Sequence, residues 1–355
     1  MGELWRTASS HGPTGTVKVA GRTKQCVNVA FIGGGLVAEL HARAVKACDA
    51  AKLVGVFDTA PAAGKRFARR HRVCAYRSLD ELLNDGSVQA VHVLTPPEAH
   101  LDTAMAALIA GKHVLVEKPV SHKAGDIRKI MRAAERRGCL AVPAHNYIHA
   151  PSLQRAKRLI DDGSLGPIAA FWMMYNMVHD RSQIKKYGSI LRVVCVHHAY
   201  SLLYLLGRPR RVTAMATRAP HVPDVPHLAQ VAITCNMPDG VIANLWASFA
   251  ANDMTNAPWH VIYKLLGTNG GVNYSWDEAH TADRVPHRGS GSGMLGYVDS
   301  FRYEVDHFIT RCILEGDAPL STMSDALDAL RIIEAAERAV RTGTTVQVKY
   351  DKPRR

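Results

Sequence analysis

The feature that most restricts how this chain can fold is a glycine turn between a buried strand and a helix. Residues 27–32 read Val-Asn-Val-Ala-Phe-Ile, a near-continuous apolar run typical of a parallel strand buried on both faces. Gly33 and Gly35 follow, and apolar residues then recur at helical spacing from Leu36. The spacing Gly33-x-Gly35-x-x-Ala38 is that of a dinucleotide-binding turn, in which glycine lets the backbone approach a pyrophosphate at the helix N-terminus.

An acidic residue at the end of the next predicted strand supports this interpretation. Residues 52–57 read Lys-Leu-Val-Gly-Val-Phe, and Asp58 follows them. A carboxylate at this place would hold the adenosine ribose of a dinucleotide. Glycines alone also mark ordinary turns, but the two signals together favour a nucleotide site.

Strands and helices alternate through the first part of the chain. The pattern predicts further strands at 89–94, 113–116 and 139–142, and helices at 61–69, 99–110 and 123–137. Such alternation with short connections implies an α/β fold with a doubly wound parallel sheet. Ligands of such a sheet bind at the carboxyl ends of its strands. We therefore expect a dinucleotide-binding domain over residues 26–150, preceded by a flexible arm at 1–25.

The pattern changes after Pro151. Alternating runs predict five longer strands, at 168–178, 211–218, 228–237, 241–250 and 259–266. Pro238-Asp-Gly240 is a hairpin turn between two of them. Predicted helices lie at 152–162, 199–206, 301–315 and 325–341, and a flexible loop at 289–293. This half is expected to be an α+β domain over residues 151–350 with an open, mostly antiparallel sheet.

Composition narrows the class of protein. The 355 residues are enough for two domains, and no apolar run approaches the length of a membrane span. The seven scattered cysteines include no C-x-x-C pair, which indicates reduced thiols in a cytoplasmic protein. The net charge of +13 is dispersed along the chain. It favours a phosphorylated or nucleotide-linked substrate over nucleic acid, because no nucleic-acid-binding module is visible.

Further motifs follow the glycine turn with His41 and the acidic Asp58: Thr95-Pro-Pro-Glu-Ala-His100, Glu117-Lys118-Pro119 and Tyr204-Leu-Leu-Gly207. In this order the motifs are similar to those of the glucose-fructose oxidoreductase / inositol dehydrogenase / rhizopine-catabolism (Gfo/Idh/MocA) oxidoreductase family. The resemblance covers nearly all of residues 27–348. It implies an N-terminal Rossmann domain and a C-terminal domain whose open sheet carries the substrate site on one face and a subunit contact on the other. It also implies a homodimer or homotetramer.

The resemblance further implies hydride transfer between nicotinamide and a secondary alcohol of a sugar or cyclitol, with Lys118 taking part in proton transfer. Lysine ordinarily titrates near pH 10.4, so burial or a neighbouring cation must lower the pKa of this side chain. Asp58 without a following arginine favours NAD, while Lys65 and Arg66 leave NADP open. The cofactor-binding residues implied are Gly33, Gly35, Leu36, Val37, Asp58, Thr95, Pro96, His100, Glu117, Lys118 and Asn146.

The chain departs from the family pattern where Asp-x-x-x-His is expected. Counting back from Gly207 places the histidine at His197 but puts Val193 where the aspartate belongs. We expect His197 to orient the substrate without that carboxylate. Further substrate-binding candidates are Tyr147, His149, Arg181, Lys185 and His198. Tyr147 and His149 could instead pack at the domain junction, and Arg181 and Lys185 could belong to a solvated charge run. For His198 a structural role is favoured. No second ligand cluster supports a metal.

These observations predict an NAD-dependent oxidoreductase that acts on a sugar derivative, nucleotide-linked or phosphorylated, or on a cyclitol. Two alternatives stay open because of Val193. One is a redox-neutral epimerase or eliminase with tightly bound NAD. The other is a non-catalytic NAD-binding sensor.

Overall fold

The computed structural model of the chain describes residues 26–251, 260–275, 282–284 and 296–351. The predicted arm at 1–25, the first residue of the predicted strand at 259–266 and the predicted loop at 289–293 lie outside these ranges. No helix in the described ranges is both long and apolar enough to cross a membrane.

The first half is built on a six-stranded sheet with the order β3-β2-β1-β4-β5-β6, in which every pairing is parallel. This is the strand order of a doubly wound dinucleotide-binding fold, as predicted. Its strands are β1 (Val27–Ile32), β2 (Ala51–Phe57), β3 (Cys74–Ala75), β4 (Ala90–Val93), β5 (His113–Val116) and β6 (Ala141–Pro143). Its helices are α1 (Leu36–Ala47), α2 (Pro61–His71), α3 (Leu79–Asn84), α4 (Pro97–Ile109) and α5 (Ala124–Arg137).

Helices cover both faces of this sheet, which explains the continuous apolar strands. Val29 and Phe31 of β1 pack into the core on the α1 side, whereas Ala30 and Ile32 pack into the core with α4 and α5. The short β3 and α3 were not predicted, since elements of this length leave little periodicity to read.

The second half contains an eight-stranded sheet with the order β13-β12-β11-β7-β10-β9-β8-β14. Within the described ranges β7 and β10 pair in parallel and the other pairings are antiparallel, so the sheet is mostly antiparallel as predicted. The predicted turn joins β9 to β10, where Met237 donates its backbone N–H to Val241 (3.0 Å). The strands are β7 (Ile168–Asn176), β8 (Arg211–Thr217), β9 (Gln230–Asn236), β10 (Ile242–Ser248), β11 (His260–Gly267), β12 (Gly270–Ser275), β13 (Ala282–Arg284) and β14 (Val346–Gln347).

Helices of the second half differ from the prediction at the places that matter for the site. They are α6 (Pro151–Asp161), α7 (Arg181–Tyr187), α8 (Ile190–Val193), α9 (Cys195–Leu206), α10 (Tyr297–Asp306), which continues as a π-helix (His307–Leu314), and α11 (Met323–Thr342). Helix α9 begins four residues earlier than predicted and includes His197. The short helices α7 and α8 were not predicted.

Helix α10 and its π-helical extension pack on the first half of the chain rather than only closing the second. Phe301, Val305 and Phe308 enter the core between α1 and the parallel sheet. Met323 and Leu327 of α11 similarly join the core on the opposite face of that sheet. These apolar side chains cover surface that the first half leaves open, and they bring the start of α10 to the region between the two halves.

Candidate active site

The glycine turn after β1 has the geometry that close approach of a phosphate requires. Gly33 has φ +103°, and a Cβ there would lie 2.6 Å from the carbonyl oxygen of Leu94, so only glycine fits. Gly35 is the N-cap of α1 and gives no side-chain cap to the helix, while a Cβ placed on it would meet nothing within 4 Å. The first N–H groups of α1 thus lack a side-chain acceptor, as in a phosphate-binding helix terminus.

Asp58 lies beside this turn. Its Oδ2 accepts the backbone N–H of Gly34 and its Oδ1 accepts that of Ala60, both at 2.8 Å. The carboxylate is therefore fixed between the end of β2 and the glycine turn, and its contact with a ribose stays a prediction. Lys65 and Arg66 are exposed on the following helix α2.

The motif after β4 contains two buried polar side chains, His100 with protein partners and Thr95 without one among the described residues. His100 is buried, with ring nitrogens 2.8 Å from the carbonyl oxygen of Thr95 and 3.0 Å from that of Pro119, so it ties two strand ends together. The Thr95 hydroxyl is buried and has no partner among the described residues. Leu36 is 81% exposed and Pro96 is exposed, while Val37 is half-buried.

A dinucleotide fits this set of residues. An unpartnered buried hydroxyl costs free energy unless a ligand or water completes it, and Thr95 lies at the edge where such ligands bind. The open space at Gly35, the exposed Leu36 and the fixed carboxylate of Asp58 complete a cradle for pyrophosphate and ribose. Among the described residues no group of three or more metal-ligating side chains forms a metal site.

Glu117 is a buried acid that shapes the loop after β5. Its Oε1 lies 3.2 Å from Nε2 of His41, and its Oε2 accepts the backbone N–H of Lys118 at 2.8 Å. Burial pushes the pKa of Glu117 upward, but the hydrogen bond with His41 and the nearby Lys118 outweigh burial and hold that pKa below its ordinary value. Glu117 is thus an anion committed to the protein, and it orients the backbone that carries Lys118.

Lys118 lies in an environment that lowers the pKa of its side chain. Burial lowers the pKa of its ammonium group, and the attraction of Glu117 opposes this only in part. Its Nζ donates to the backbone carbonyl of Val193 at 3.4 Å. The residue that replaces the expected aspartate therefore still contacts the lysine, but through its main chain.

The side chain of Val193 packs against the core of the second half, so no carboxylate lies at this position. The neighbouring Arg192 forms a two-pronged ion pair with Glu337 of α11, with Nε–Oε1 and Nη2–Oε2 distances of 2.6 Å. This pair connects α8 to α11 and holds the segment that presents the Val193 carbonyl.

His197 is buried and held by two tyrosines. Its ring stacks on Tyr147 with centroids 4.0 Å apart and planes 19° apart, and its Nδ1 is hydrogen-bonded to the hydroxyl of Tyr200. Burial, together with the charge of Lys118, holds the pKa of His197 well below its ordinary value. The imidazole is therefore neutral at physiological pH.

Tyr200 belongs to a buried network that sequence reasoning missed. Its hydroxyl contacts Oδ1 of Asn146 (3.2 Å), whose Nδ2 contacts Oγ of Ser300 (2.9 Å). Asn146 thus uses both ends of its amide within the protein, and its contact with the cofactor stays a prediction. The spacing of Tyr200 three residues after His197 on one helix face could have suggested their contact, whereas Ser300 gives no comparable local signal.

The other substrate candidates are not gathered around Lys118. His149 is buried beside a cavity of about 360 Å³, which Arg158, Tyr303 and His307 also line and which Lys118 does not. Arg181 is exposed and forms an ion pair with Asp224 (2.6 Å), and Lys185 is exposed on the same helix. His198 is fully buried and neither ring nitrogen has a partner among the described residues, which agrees with the structural alternative. Of the five candidates, Tyr147 is the one whose ring stacks on His197.

A buried carboxyl group on α10 gives the fold a testable dependence on pH. Glu304 is 1% exposed, and neither carboxyl oxygen has a partner among the described residues. Burial, reinforced by Glu117, raises its pKa well above the ordinary value. Because the folded pKa exceeds the unfolded one, stability is highest below the unfolded pKa and falls as pH rises toward the folded pKa.

We expect Glu304→Gln to remove this loss, so that the variant gains stability over the parent at about pH 8 but not at about pH 4. Each unit of pKa difference is worth about 1.4 kcal/mol. Thermal melts across this range test the expectation, with Glu98→Gln on the exposed start of α4 as the control. The same difference in Tm between parent and Glu304→Gln at every pH would contradict the expectation.

Comparison with known sequences agrees with this architecture. Residues 27–145 match the model of an oxidoreductase family with an NAD-binding Rossmann fold, and residues 153–273 match the GFO/IDH/MocA C-terminal domain. The chain belongs to the Gfo/Idh/MocA oxidoreductase family, and its first domain is an NAD-binding Rossmann domain.

Similar proteins include two inositol dehydrogenases. Inositol 2-dehydrogenase of Rhizobium meliloti (strain 1021) is 29% identical over 196 residues, which are 54% of this chain and 58% of that protein. The scyllo-inositol 2-dehydrogenase (NADP(+)) IolW of Bacillus subtilis (strain 168) is 34% identical over 142 residues, 38% of this chain and 40% of that protein. The matched stretch therefore spans about half the length of these curated relatives.

A solved structure is similar over a larger part of the chain. The crystal structure of GenD2 from gentamicin A biosynthesis, in complex with NAD, superposes with a TM-score of 0.78 and 25% identity, covering 96% of this chain and all of that one. The two-domain arrangement of this chain is thus found in an NAD complex.

Proposed function

We propose that this protein is an NAD-dependent oxidoreductase that transfers hydride between nicotinamide and a secondary alcohol of a cyclitol or sugar derivative. The observation that carries the proposal is Lys118, whose pKa burial lowers and whose amine lies against the segment leading to His197. The two inositol dehydrogenases among its relatives support the substrate class. A phosphorylated or nucleotide-linked sugar, which the net charge favoured, gains less support, because Arg181 is paired with Asp224.

In the proposed mechanism Lys118 accepts the proton of the substrate hydroxyl at Nζ while the C–H bond of the same carbon breaks and a carbonyl forms. When bound, NAD supplies the hydride acceptor. The Val193 carbonyl accepts one N–H of the amine and so orients the single lone pair of the neutral amine. His197 forms a hydrogen bond with a hydroxyl of the substrate, and Glu117 holds the backbone of the loop. In the reverse direction Lys118 returns the proton to the new alkoxide oxygen.

The test is a substrate screen with purified protein. Mass spectrometry first shows whether NAD travels with the protein, and a panel of cyclitols, free sugars, sugar phosphates and nucleotide sugars is then followed by NADH absorbance. We expect NADH to form with a cyclitol or an unphosphorylated sugar. Sugar conversion without net NADH, together with retained NAD, would favour the redox-neutral alternative. Binding of NAD and sugar without any conversion would favour a sensor and contradict the proposal.

We expect NAD to be preferred over NADP, because the fixed carboxylate of Asp58 would bind the ribose hydroxyls and repel a phosphate there. Asp58→Ser should raise KM for NAD about tenfold and lower KM for NADP, aided by Lys65 and Arg66 on α2. A tenfold change corresponds to about 1.4 kcal/mol. Initial rates with both cofactors test this, and Asp102→Asn on the exposed face of α4 is the control. Unchanged selectivity in Asp58→Ser would refute the assignment of Asp58 to the ribose.

We also propose a homodimer or homotetramer formed through the outer face of the second sheet. Register places Met215, Ala232, Trp246, Met174 and Ile262 in one row across five strands. Met215 is 78% exposed, and an apolar row of this kind is typical of an interface. Light scattering of the purified protein measures the assembly, and a monomer at micromolar concentration would exclude it.

A further inference from the structure

The hydrogen-bond chain that ends at His197 has one consistent arrangement of donors. The carbonyl oxygen of Tyr297 can only accept, so the Ser300 hydroxyl donates to it (2.6 Å). The Ser300 oxygen therefore accepts from Nδ2 of Asn146 (2.9 Å). This turns Oδ1 of Asn146 toward Tyr200, whose hydroxyl donates to it (3.2 Å).

Because a tyrosine hydroxyl has one proton, this arrangement leaves the Tyr200 oxygen as an acceptor. It accepts the backbone N–H of Tyr147 (3.3 Å), and its contact with His197 Nδ1 must then be a bond donated by the histidine. The ring carries its proton on Nδ1, and in a neutral imidazole Nε2 is left with a lone pair.

We propose that Tyr200, held by Asn146 and Ser300, replaces the missing carboxylate as the positioning residue for His197, so that Nε2 of His197 accepts a hydrogen bond from a hydroxyl of the substrate. The proposal rests on the function proposed above. It explains how the chain functions with Val193 at the expected acid position. The network is built from three separated parts of the chain and is buried throughout, since His197, Asn146, Tyr200 and Ser300 are each at most 5% exposed.

A phenol and a carboxylate hold a histidine differently. A carboxylate would stabilise the imidazolium, whereas a neutral phenol that donates its proton elsewhere selects a tautomer without favouring the charged ring. Among the described residues, the titratable groups that act on His197 are Lys118, His145 and His198, none of which is an anion, and the rings in contact with it are Tyr147 and Tyr200. The buried acids Glu117 and Glu304 lie near Tyr200, and Glu117 is paired with His41. His197 therefore stays neutral, and Lys118 is the group that exchanges the proton with substrate.

Nitrogen NMR tests the tautomer directly and needs no substrate. In protein labelled at its 18 histidines, with His197 assigned by comparison with His197→Gln, we expect a protonated Nδ1 and an unprotonated Nε2. In Tyr200→Phe the preference should be lost and a mixture of tautomers should form. A parent His197 protonated on Nε2, or a tautomer unaffected by Tyr200→Phe, would overturn the proposal.

Kinetics supply the second test. With the substrate found in the screen, Tyr200→Phe should lower kcat/KM about tenfold to a hundredfold, with NAD affinity unchanged. We take this range from histidines that bind metals and lose the partner that orients them. The matched control is Tyr204→Phe on the same helix, whose hydroxyl accepts from Gln154 (2.9 Å). It should match the parent. Equal rates in Tyr200→Phe and Tyr204→Phe would contradict the positioning role.

Ser300→Ala provides a variant that keeps Tyr200 in place. Without the serine oxygen the Asn146 amide is free to flip, and a flipped amide would make Tyr200 donate to His197 instead. We expect a partial shift toward the Nε2-protonated tautomer and a loss of activity smaller than in Tyr200→Phe. If no substrate is found but the tautomers behave as described, the proposed function fails while the positioning role stands. Turnover with a tautomer that neither variant changes would instead support the proposed function and overturn the positioning role.

Discussion

Replacing Lys118 with methionine is expected to lower kcat about a thousandfold or more, within the range of general acid–base catalysis, while the Kd for NAD changes little. Methionine is unbranched and only one atom shorter than lysine, but it cannot take the hydroxyl proton. The substitution leaves the proposed nucleotide cradle at Gly33, Asp58 and Thr95 unchanged, so the cofactor should still bind. Stopped turnover with retained NAD binding, measured by initial rates and by calorimetry, is the expected combination.

One further variant tests whether the positive charge alone is sufficient for turnover, and a second is a control. Lys118→Arg keeps a cation that does not lose its proton in proteins, so it should be nearly as inactive as Lys118→Met. Lys123→Met, at an exposed position shortly after the loop, should retain parental rates. Substantial activity in Lys118→Met on a confirmed substrate would exclude Lys118 as the proton acceptor.

The pH profile of the parent enzyme follows from the same environment. Because burial lowers the pKa of Lys118, the neutral amine forms at lower pH than for a lysine in water. Alcohol oxidation should rise with pH through this pKa and then level, whereas carbonyl reduction needs the ammonium and should fall through it. In this pH range the neutral His197 contributes no titration step.

The second large effect is expected at the glycine turn. Gly33→Ala should destabilise the protein by about 2 kcal/mol or more, because alanine is strained at a positive φ and its Cβ would collide with the carbonyl of Leu94. Such a loss corresponds to a fall in Tm of about 4–8 °C for a domain of this size. NAD affinity should fall as well, since the turn that presents the helix terminus is displaced.

Gly35→Ala is the matched variant. Its backbone is extended at φ −79° and its Cβ meets open space in the protein alone, so the free energy of unfolding should change by no more than about 1 kcal/mol. That open space is where the pyrophosphate is expected, so NAD affinity should fall about tenfold to a hundredfold. Melting curves with and without NAD distinguish the two variants. Equal NAD affinity in Gly35→Ala and parent would contradict the placement of the pyrophosphate at this turn.

Local sequence pattern was sufficient for the nucleotide half of the site. A buried strand, a glycine turn and an amphipathic helix are each determined by residues close together in the chain, and parallel strands align their carboxyl ends. Gly33, Asp58, Thr95 and Lys118 could therefore be placed on one edge of a sheet from the sequence alone. The loss of the carboxylate at Val193 was also visible by counting residues back from Gly207.

What the sequence by itself determined is thus the class of fold, and it was enough to propose the edge for NAD and the lysine for proton transfer. The tertiary structure alone decided what surrounds His197: the Val193 carbonyl on Lys118, the stacking of Tyr147, and the path from Tyr200 through Asn146 to Ser300. These contacts join residues from separate segments, and they form because buried polar groups must find partners wherever the fold brings donors and acceptors together. No periodicity along the chain records such a pairing.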